Sequence, residues 1–194
     1  LNQLIVFAHP NPNSFGKGIV DAIQKASESA GIATRVRDLY QLGFDPTLKG
    51  SDFEAFQAGK IPEDLKTEQE HINWADVVTF VYPVWWAGFP AILKGYVDRV
   101  FSYGFAYEYA DGVPNGLLKG KKALLFSTSG SPNEYYSAIG MHNSMKQTSD
   151  EGIFKFSGFE VIDHVFFGAV PHVDDETRRN YLNDVSVIIK ERLK

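Results

Sequence analysis

Short apolar runs alternate along the chain with segments in which apolar residues recur every third or fourth position. The first run, Leu-Ile-Val-Phe-Ala at 4–8, is closed by His9-Pro10-Asn11-Pro12-Asn13-Ser14. A continuous apolar run bounded by turn residues predicts a strand buried on both faces, here the central one. From Ser14, which can cap a helix, Ile19, Ala22, Ile23, Ala26 and Ala30 repeat at helical spacing until Gly31 stops the pattern. Residues 34–39 alternate and predict a second, more exposed strand. Residues 40–65 have no clean period and read as an excursion holding a short helix. A polar helix over 66–73 leads into a third buried strand at 75–82, stopped by Pro83. Pro90 opens the next helix, whose Ile92, Leu93, Tyr96, Val97, Val100 and Phe101 share one face. Residues 122–127 and 161–167 predict the fourth and fifth strands. The link between them, 136–156, reads as mostly helical, and a helix over 174–194 closes the chain.

Strand and helix alternate throughout, so right-handed crossovers predict an α/β three-layer sandwich: a five-stranded parallel sheet of order 2-1-3-4-5 with helices on both faces, the flavodoxin-like arrangement. A length of 194 residues fits a single domain with a core large enough to need no staples. Ligands of such sheets bind at the carboxyl ends of the strands, where the strand order reverses. Three turns, at 9–15, 83–88 and 128–136, converge there. Helix N–H groups after Ser14 suit a phosphate, although an ordinary capped turn fits the same residues. Neither G-x-G-x-x-G nor G-x-x-x-x-G-K-[ST] is present, which argues against a Rossmann dinucleotide fold and a P-loop nucleotidase. Trp85 and Trp86 on the second turn need cover, from a flat ligand or equally from the core or a subunit interface. Thr128-Ser129-Gly130-Ser131 lets backbone approach a planar ring. Tyr136 and His142 could stabilise negative charge on a reduced flavin, although a lone Tyr or His in a helix is more often a packing residue.

Composition narrows the chemistry. With no cysteine, disulfides, thiolate metal sites, iron–sulfur clusters and a cysteine nucleophile are excluded, no metal is expected, and redox chemistry must come from a bound cofactor. A net charge of -5 makes nucleic acid an unsuitable partner. No apolar stretch approaches membrane-spanning length, so the expectation is a soluble, cytoplasmic protein without membrane insertion.

The string Pro-Ala-Ile-Leu-Lys-Gly-Tyr-Val-Asp-Arg-Val-Phe at 90–101, with Gly-Phe-Ala-Tyr-Glu-Tyr at 104–109, resembles the signature of the NAD(P)H:quinone oxidoreductase (DT-diaphorase) family. That family includes shorter bacterial members such as the modulator of drug activity and the ancillary proteins of potassium efflux. The resemblance runs from His9 and Ser14-Phe15 through Pro83, Trp86, Thr128-Ser129-Gly130, Tyr136 and His142 to Arg178, nearly the whole chain. It implies a flavoenzyme that passes two electrons from NADH or NADPH to a quinone-like acceptor by ping-pong hydride transfer, usually as a homodimer. By the same resemblance, His9, Ser14 and Phe15 hold the phosphate region of the cofactor. Pro83, Val84, Trp85 and Trp86, with Thr128, Ser129, Gly130 and Ser131, line the flavin ring. Arg178 reaches the distal part of FAD, which favours FAD over FMN. Tyr136 and His142 are the catalytic pair, and Tyr107, Tyr109 and Phe156 cover the substrate pocket from the neighbouring subunit. The sequence departs from the family at Gly16 (Asn in the family), Ala87 (an aromatic) and Ser131 (Gly). A regulatory subunit of a potassium-efflux system fits the same resemblance. A flavodoxin-like electron carrier fits less well, given the modest charge and the tyrosine pair.

Overall fold

Successive residues of the central strands feed two separate cores. In the computed structural model, which describes residues 1–193, Leu4 and Val6 of β1 (Asn2–Phe7) enter one cluster and Ile5 and Phe7 the other, and all four are buried. The second cluster is closed by α1 (Phe15–Ser29) through Ile19, Val20, Ile23 and Ala26, and by the closing helix through Val185 and Ile189. After β2 (Ala33–Asp38) and the short α2 (Gly50–Gln57), the first cluster is closed by α3 (Glu63–Trp74) with Leu65 and Ile72. Beyond β3 (Val77–Pro83), α4 (Ala91–Val100) adds Ile92, Leu93, Tyr96, Val97 and Val100 to that same cluster. Each such side chain contributes roughly 1.5–3 kcal/mol relative to exposure.

The rest of the chain is a hairpin of β4 (Tyr107–Ala110) and β5 (Val113–Gly116), then β6 (Lys122–Thr128), α5 (Asn133–Ala138), α6 (Met141–Lys146) running into a π-helix (Gln147–Lys155), β7 (Glu160–Phe167) and α7 (Asp175–Arg192). The five-stranded sheet has the order β2-β1-β3-β6-β7, parallel throughout. Once the separate hairpin is set aside, this is the expected 2-1-3-4-5 arrangement. The excursion at 40–65 does hold a short helix, α2. Helix α3 begins before residue 66 because Glu63 and Asp64 sit favourably in its first turn. The hairpin was not anticipated, yet its turn, Asp111-Gly112 with φ of 53° and 78°, carries the usual two-residue hairpin signal. The last residue of the expected closing helix, Lys194, lies outside the described residues.

The 40–49 segment is anchored on α4. Arg99 donates through Nη1 to the Asp45 carbonyl at 2.9 Å and through Nε to Asp52 Oδ2 at 2.9 Å, and both side chains of that ion pair are buried. The guanidinium holds the Asp52 carboxyl below its usual pKa. One turn earlier, Gly95 meets Pro46 so closely that a Cβ would fall 2.1 Å from the Pro46 carbonyl oxygen. In an open helix Gly→Ala gains about 1 kcal/mol. Gly95→Ala should instead lower stability by about 1–3 kcal/mol, read as a lower urea midpoint at unchanged slope. A raised midpoint would show that the segment does not seat on α4.

Candidate active site

The carboxyl ends of β1, β3 and β6 open onto one cleft of about 470 Å³. Asn11 organises the loop after β1. Its Oδ1 accepts from the Asn13 N–H at 2.9 Å and its carbonyl from the Ser14 N–H at 3.1 Å. Ser14 then caps α1, its Oγ accepting from the Lys17 N–H at 3.2 Å. The N–H groups of Phe15 and Gly16 take no partner among the described residues, so two donors and the positive end of the helix dipole are left for an anion. Gly16 lets this turn sit close, since a Cβ there would lie 3.2 Å from the Phe7 ring. His9 lines the same cleft, and its Nδ1 accepts from the Asn11 N–H at 3.0 Å. Burial lowers its pKa, which favours the neutral ring with the proton on Nε2 as a donor.

The second wall is a strained turn. The Val84 N–H donates to the Thr128 carbonyl at 2.7 Å, which holds the end of β3 against β6. Trp85 and Gly88 then exchange backbone hydrogen bonds of 3.2 and 3.1 Å across Trp86 and Ala87, whose φ values are 50° and 57°. Two successive non-glycine residues in the left-handed region cost free energy and persist only where the surroundings hold them. Trp85 lines the cleft, its ring 6.2 Å from that of His9.

The loops after β6 and β7 are laced together to form the third wall. The Ser129 N–H donates to the Phe167 carbonyl at 2.9 Å, the Val170 N–H to the Ser129 carbonyl at 3.0 Å, and the Ala169 N–H to the Ser131 carbonyl at 2.9 Å. On α7, Arg178 donates through Nε to the Val170 carbonyl at 3.1 Å and pairs through Nη1 with Asp175 at 2.7 Å. Its Nη2 has no partner among the described residues, and the side chain reaches the cleft.

A family model described as flavodoxin-like fold matches residues 2–188. The chain belongs to this family. It is 42% identical to a Haemophilus influenzae protein named as an uncharacterized NAD(P)H oxidoreductase, across 92% of this chain and 89% of that one. It is 32% identical to NAD(P)H dehydrogenase [quinone] 1 of Rattus norvegicus, across 90% of this chain and 71% of the relative. Among solved structures, the NAD(P)H:quinone oxidoreductase of Methanothermobacter marburgensis superposes with a TM-score of 0.88 at 29% identity, covering 97% of this chain and 95% of that one. The resemblance carried by residues 90–109 therefore holds.

Within this flavodoxin-like chain, ten of the residues expected to bind a cofactor line the one cleft: His9, Ser14, Phe15, Pro83, Val84, Trp85, Thr128, Ser129, Gly130 and Arg178. Ser131 and Trp86 do not line it. Ser131 acts through its carbonyl, and Trp86 stands at the tip of its turn at 103% relative exposure. Tyr136 and His142 lie beside each other, with ring centroids 5.8 Å apart, but neither lines the cleft. His142 stacks on Phe166 at 4.3 Å and has Nδ1 3.1 Å from Ser137 Oγ. Burial, then Lys146 and His164, lower its pKa. Its Nε2 and Asn133 Oδ1 are screened from solvent and take no hydrogen bond among the described residues. Tyr107, Tyr109 and Phe156 gather elsewhere, Tyr107 lying 6.1 Å from Tyr109 and 5.3 Å from Phe156.

Sequence reasoning missed Val170 and Pro171 in the cleft wall, for which Gly168 and Pro171 bracketing a turn after the last strand were the available signal. It also missed the left-handed backbone at Trp86 and Ala87, which no residue type there announces. Ala87→Gly should raise stability by about 0.5–1 kcal/mol, the relief of left-handed strain less the entropy glycine adds to the unfolded chain. A lower melting temperature for this variant would contradict the strained turn.

Proposed function

We propose that this chain is a cytoplasmic NAD(P)H dehydrogenase (quinone), a single flavin-binding domain that passes two electrons from NADH or NADPH to a quinone-like acceptor. The observation that carries the reading is the convergence of ten expected cofactor residues on one cleft whose donors suit a phosphate at one end and a flat ring between two backbone walls. The kinship with NAD(P)H dehydrogenase [quinone] 1 supports it. When bound, the flavin supplies reversible hydride chemistry. The chain supplies everything that makes that chemistry selective.

Ser14 and the free N–H groups of Phe15 and Gly16 suit the first phosphate. Arg178 adds a planar cation with an unused Nη2 on the same cleft, which suits the second phosphate of FAD and favours FAD over FMN. Residues 83–85 and 128–130 line the cleft and would bring backbone to the ring. Tyr136 and His142 hold the proton balance: a His kept neutral by burial gains affinity for a proton when negative charge develops nearby. The unpaired Nε2 of His142 is a polar atom left over for that task. A single cleft of this size would admit donor and acceptor in turn, the order that ping-pong kinetics requires. Tyr103 and Tyr109 are more than half exposed and adjoin Tyr107 and Phe156, an aromatic patch of the kind that marks an interface. At a two-fold interface that patch meets its copy, so Tyr107, Tyr109 and Phe156 would cover the partner's site and two equivalent sites would form in a homodimer.

The purified protein should be a yellow dimer in sedimentation, with one flavin per chain, FAD on acid release, and NAD(P)H consumption on addition of menadione. A colourless protein that takes up neither FAD nor FMN would overturn the reading. Tyr136→Phe and His142→Gln should each keep the flavin while slowing its reduction by NAD(P)H roughly 10²-fold, the low end for loss of one charge-stabilising donor. Wild-type stopped-flow rates in both variants would remove the pair from catalysis.

A further inference from the structure

Two irregularities of the backbone bring a buried polar cluster together behind His142. A bulge in β7 inserts one residue between Val161, which lies opposite Ala123, and Asp163, which lies opposite Leu124. Val161 packs with the first core but Ile162 and Val165 with the second, so the extra residue leaves His164 and Phe166 on the side of the first core, with Tyr82. Helix α6, which carries His142, gives way after Lys146 to the nine-residue π-helix, and Asp150 of that helix is buried against His164. Bulges and π-helices are both departures from regular pairing that recur at functional sites.

Both nitrogens of His164 are engaged. Nδ1 lies 2.8 Å from Asp150 Oδ1, and Nε2 lies 3.0 Å from Tyr82 OH. Burial and the Asp150 charge raise the Tyr82 pKa, so the phenol keeps its proton as a donor to Nε2, and the His164 proton sits on Nδ1, facing the carboxylate. The ring is thus fixed in both position and tautomer. Phe166 stacks on it with centroids 4.1 Å apart and planes at 24°, and the same Phe166 ring stacks on His142 at 4.3 Å and 23°. His142 has little else to orient it. Its Nδ1 contacts the hydroxyl of the exposed Ser137, Tyr136 stands nearly perpendicular to it at 5.8 Å, and its Nε2 has no partner among the described residues. The contacts run in series from Asp150 through His164 and Phe166 to His142, and none of the first three lines the cleft.

We infer that Asp150 and His164 are positioning residues: through the Phe166 stack they set the plane of the His142 imidazole and with it the direction of its free Nε2. The inference rests on the reading of His142 as the group that answers charge on the flavin, and it adds to that reading two residues that act only through His142. A buried carboxylate–imidazole pair is a poor means of gaining stability, since apolar side chains of like volume serve as well or better. What it adds here is orientation, because hydrogen bonds at both nitrogens hold the His164 ring in one plane and the stack passes that plane on.

A cycle of variants of the holoenzyme tests it. Asp150→Ala frees the His164 ring, whereas Asp150→Asn keeps an oxygen that accepts from Nδ1. Asp150→Ala should lower the limiting rate of flavin reduction roughly tenfold, as expected for a reacting group misplaced from a distance, with flavin content and affinity for NAD(P)H unchanged. Asp150→Asn should restore most of that rate. In the His142→Gln background Asp150→Ala should slow reduction no further, because nothing is left to position. A second readout needs no turnover. Stacking on Phe166 displaces the ring-proton resonances of His142 upfield, and Asp150→Ala should return them toward those of a free imidazole, His142→Gln giving the assignment among the 5 histidines. If Asp150→Ala does not fold, the double variant Asp150→Leu/His164→Leu decides, since it removes the clamp and leaves no buried charge. Slowing that multiplies with that of His142→Gln would overturn the positioning role. So would His142 resonances that stay in place, the result expected if the cluster serves packing alone. His142→Gln at the wild-type rate, with the resonances still moved by Asp150→Ala, would overturn the catalytic reading of His142 and the positioning role with it, leaving a structural clamp.

Discussion

A parallel sheet buried on both faces imposes the arrangement of everything else in this molecule. Each of its central strands sends alternate side chains into two different cores, so neither face can be left to solvent and every connection must carry a helix over one face or the other. Successive crossovers of one hand then put β2 and β3 on opposite sides of β1. Where the order reverses, the loops after β1 and β3 leave in opposite directions and a crevice opens between them. The cleft is thus a consequence of apolar burial many residues away. Its polar walls add chemistry to a space that the two cores have already created.

Those walls are built mainly from backbone. The anion end uses helix N–H groups, the turn after β3 is closed by its own backbone pair, and the loops after β6 and β7 are stitched through carbonyls. Side chains that could carry charge are held back: burial lowers the pKa of His9, and among the described residues Arg178 is the one cation that lines the cleft. Donors fixed by secondary structure need no reorganisation when a ligand binds, which is the condition under which electrostatic stabilisation is strongest. A cleft of this kind suits a large, flat, anionic group better than it suits a small charged substrate.

Much of this was legible in the sequence because burial writes itself into periodicity. The runs at 4–8, 75–82 and 122–127 are apolar almost without interruption, since both faces of each strand are covered, and the loops that close them therefore had to meet. What was not legible depends on tertiary geometry. The first residues of α3 are polar and aperiodic, so only the dipole preference of Glu63 and Asp64 marks its start. The hairpin 107–116 carries an Asp-Gly turn, but its strands of 4 residues are too short for an alternation to register. His142 stands beside Tyr136, stacked on Phe166 of β7 and off the cleft lining, a placement that the six-residue spacing between the two does not give. The Trp86-Ala87 backbone is left-handed because Trp85 and Gly88 are paired across it, a relation between neighbours that residue preferences taken one at a time do not show.

That turn also ties the cleft to the first core. Its near end is fixed by Pro83 pairing with Thr128 and by the short Val84–Thr128 hydrogen bond, so its height above the sheet follows the register of β3 on β6. Its far end runs through Phe89, which packs edge-on against Tyr82 at 4.7 Å and lies 6.3 Å from Phe154 in the first core. A left-handed pair between two such anchors cannot relax without dragging either the β3–β6 register or the Tyr82–Phe89–Phe154 contact with it, and each of those is tied to buried apolar surface. The strain is therefore sustained by packing, and what it secures is position. Trp85 is held on the cleft, and Ala87, two residues later, on a separate cavity of about 230 Å³.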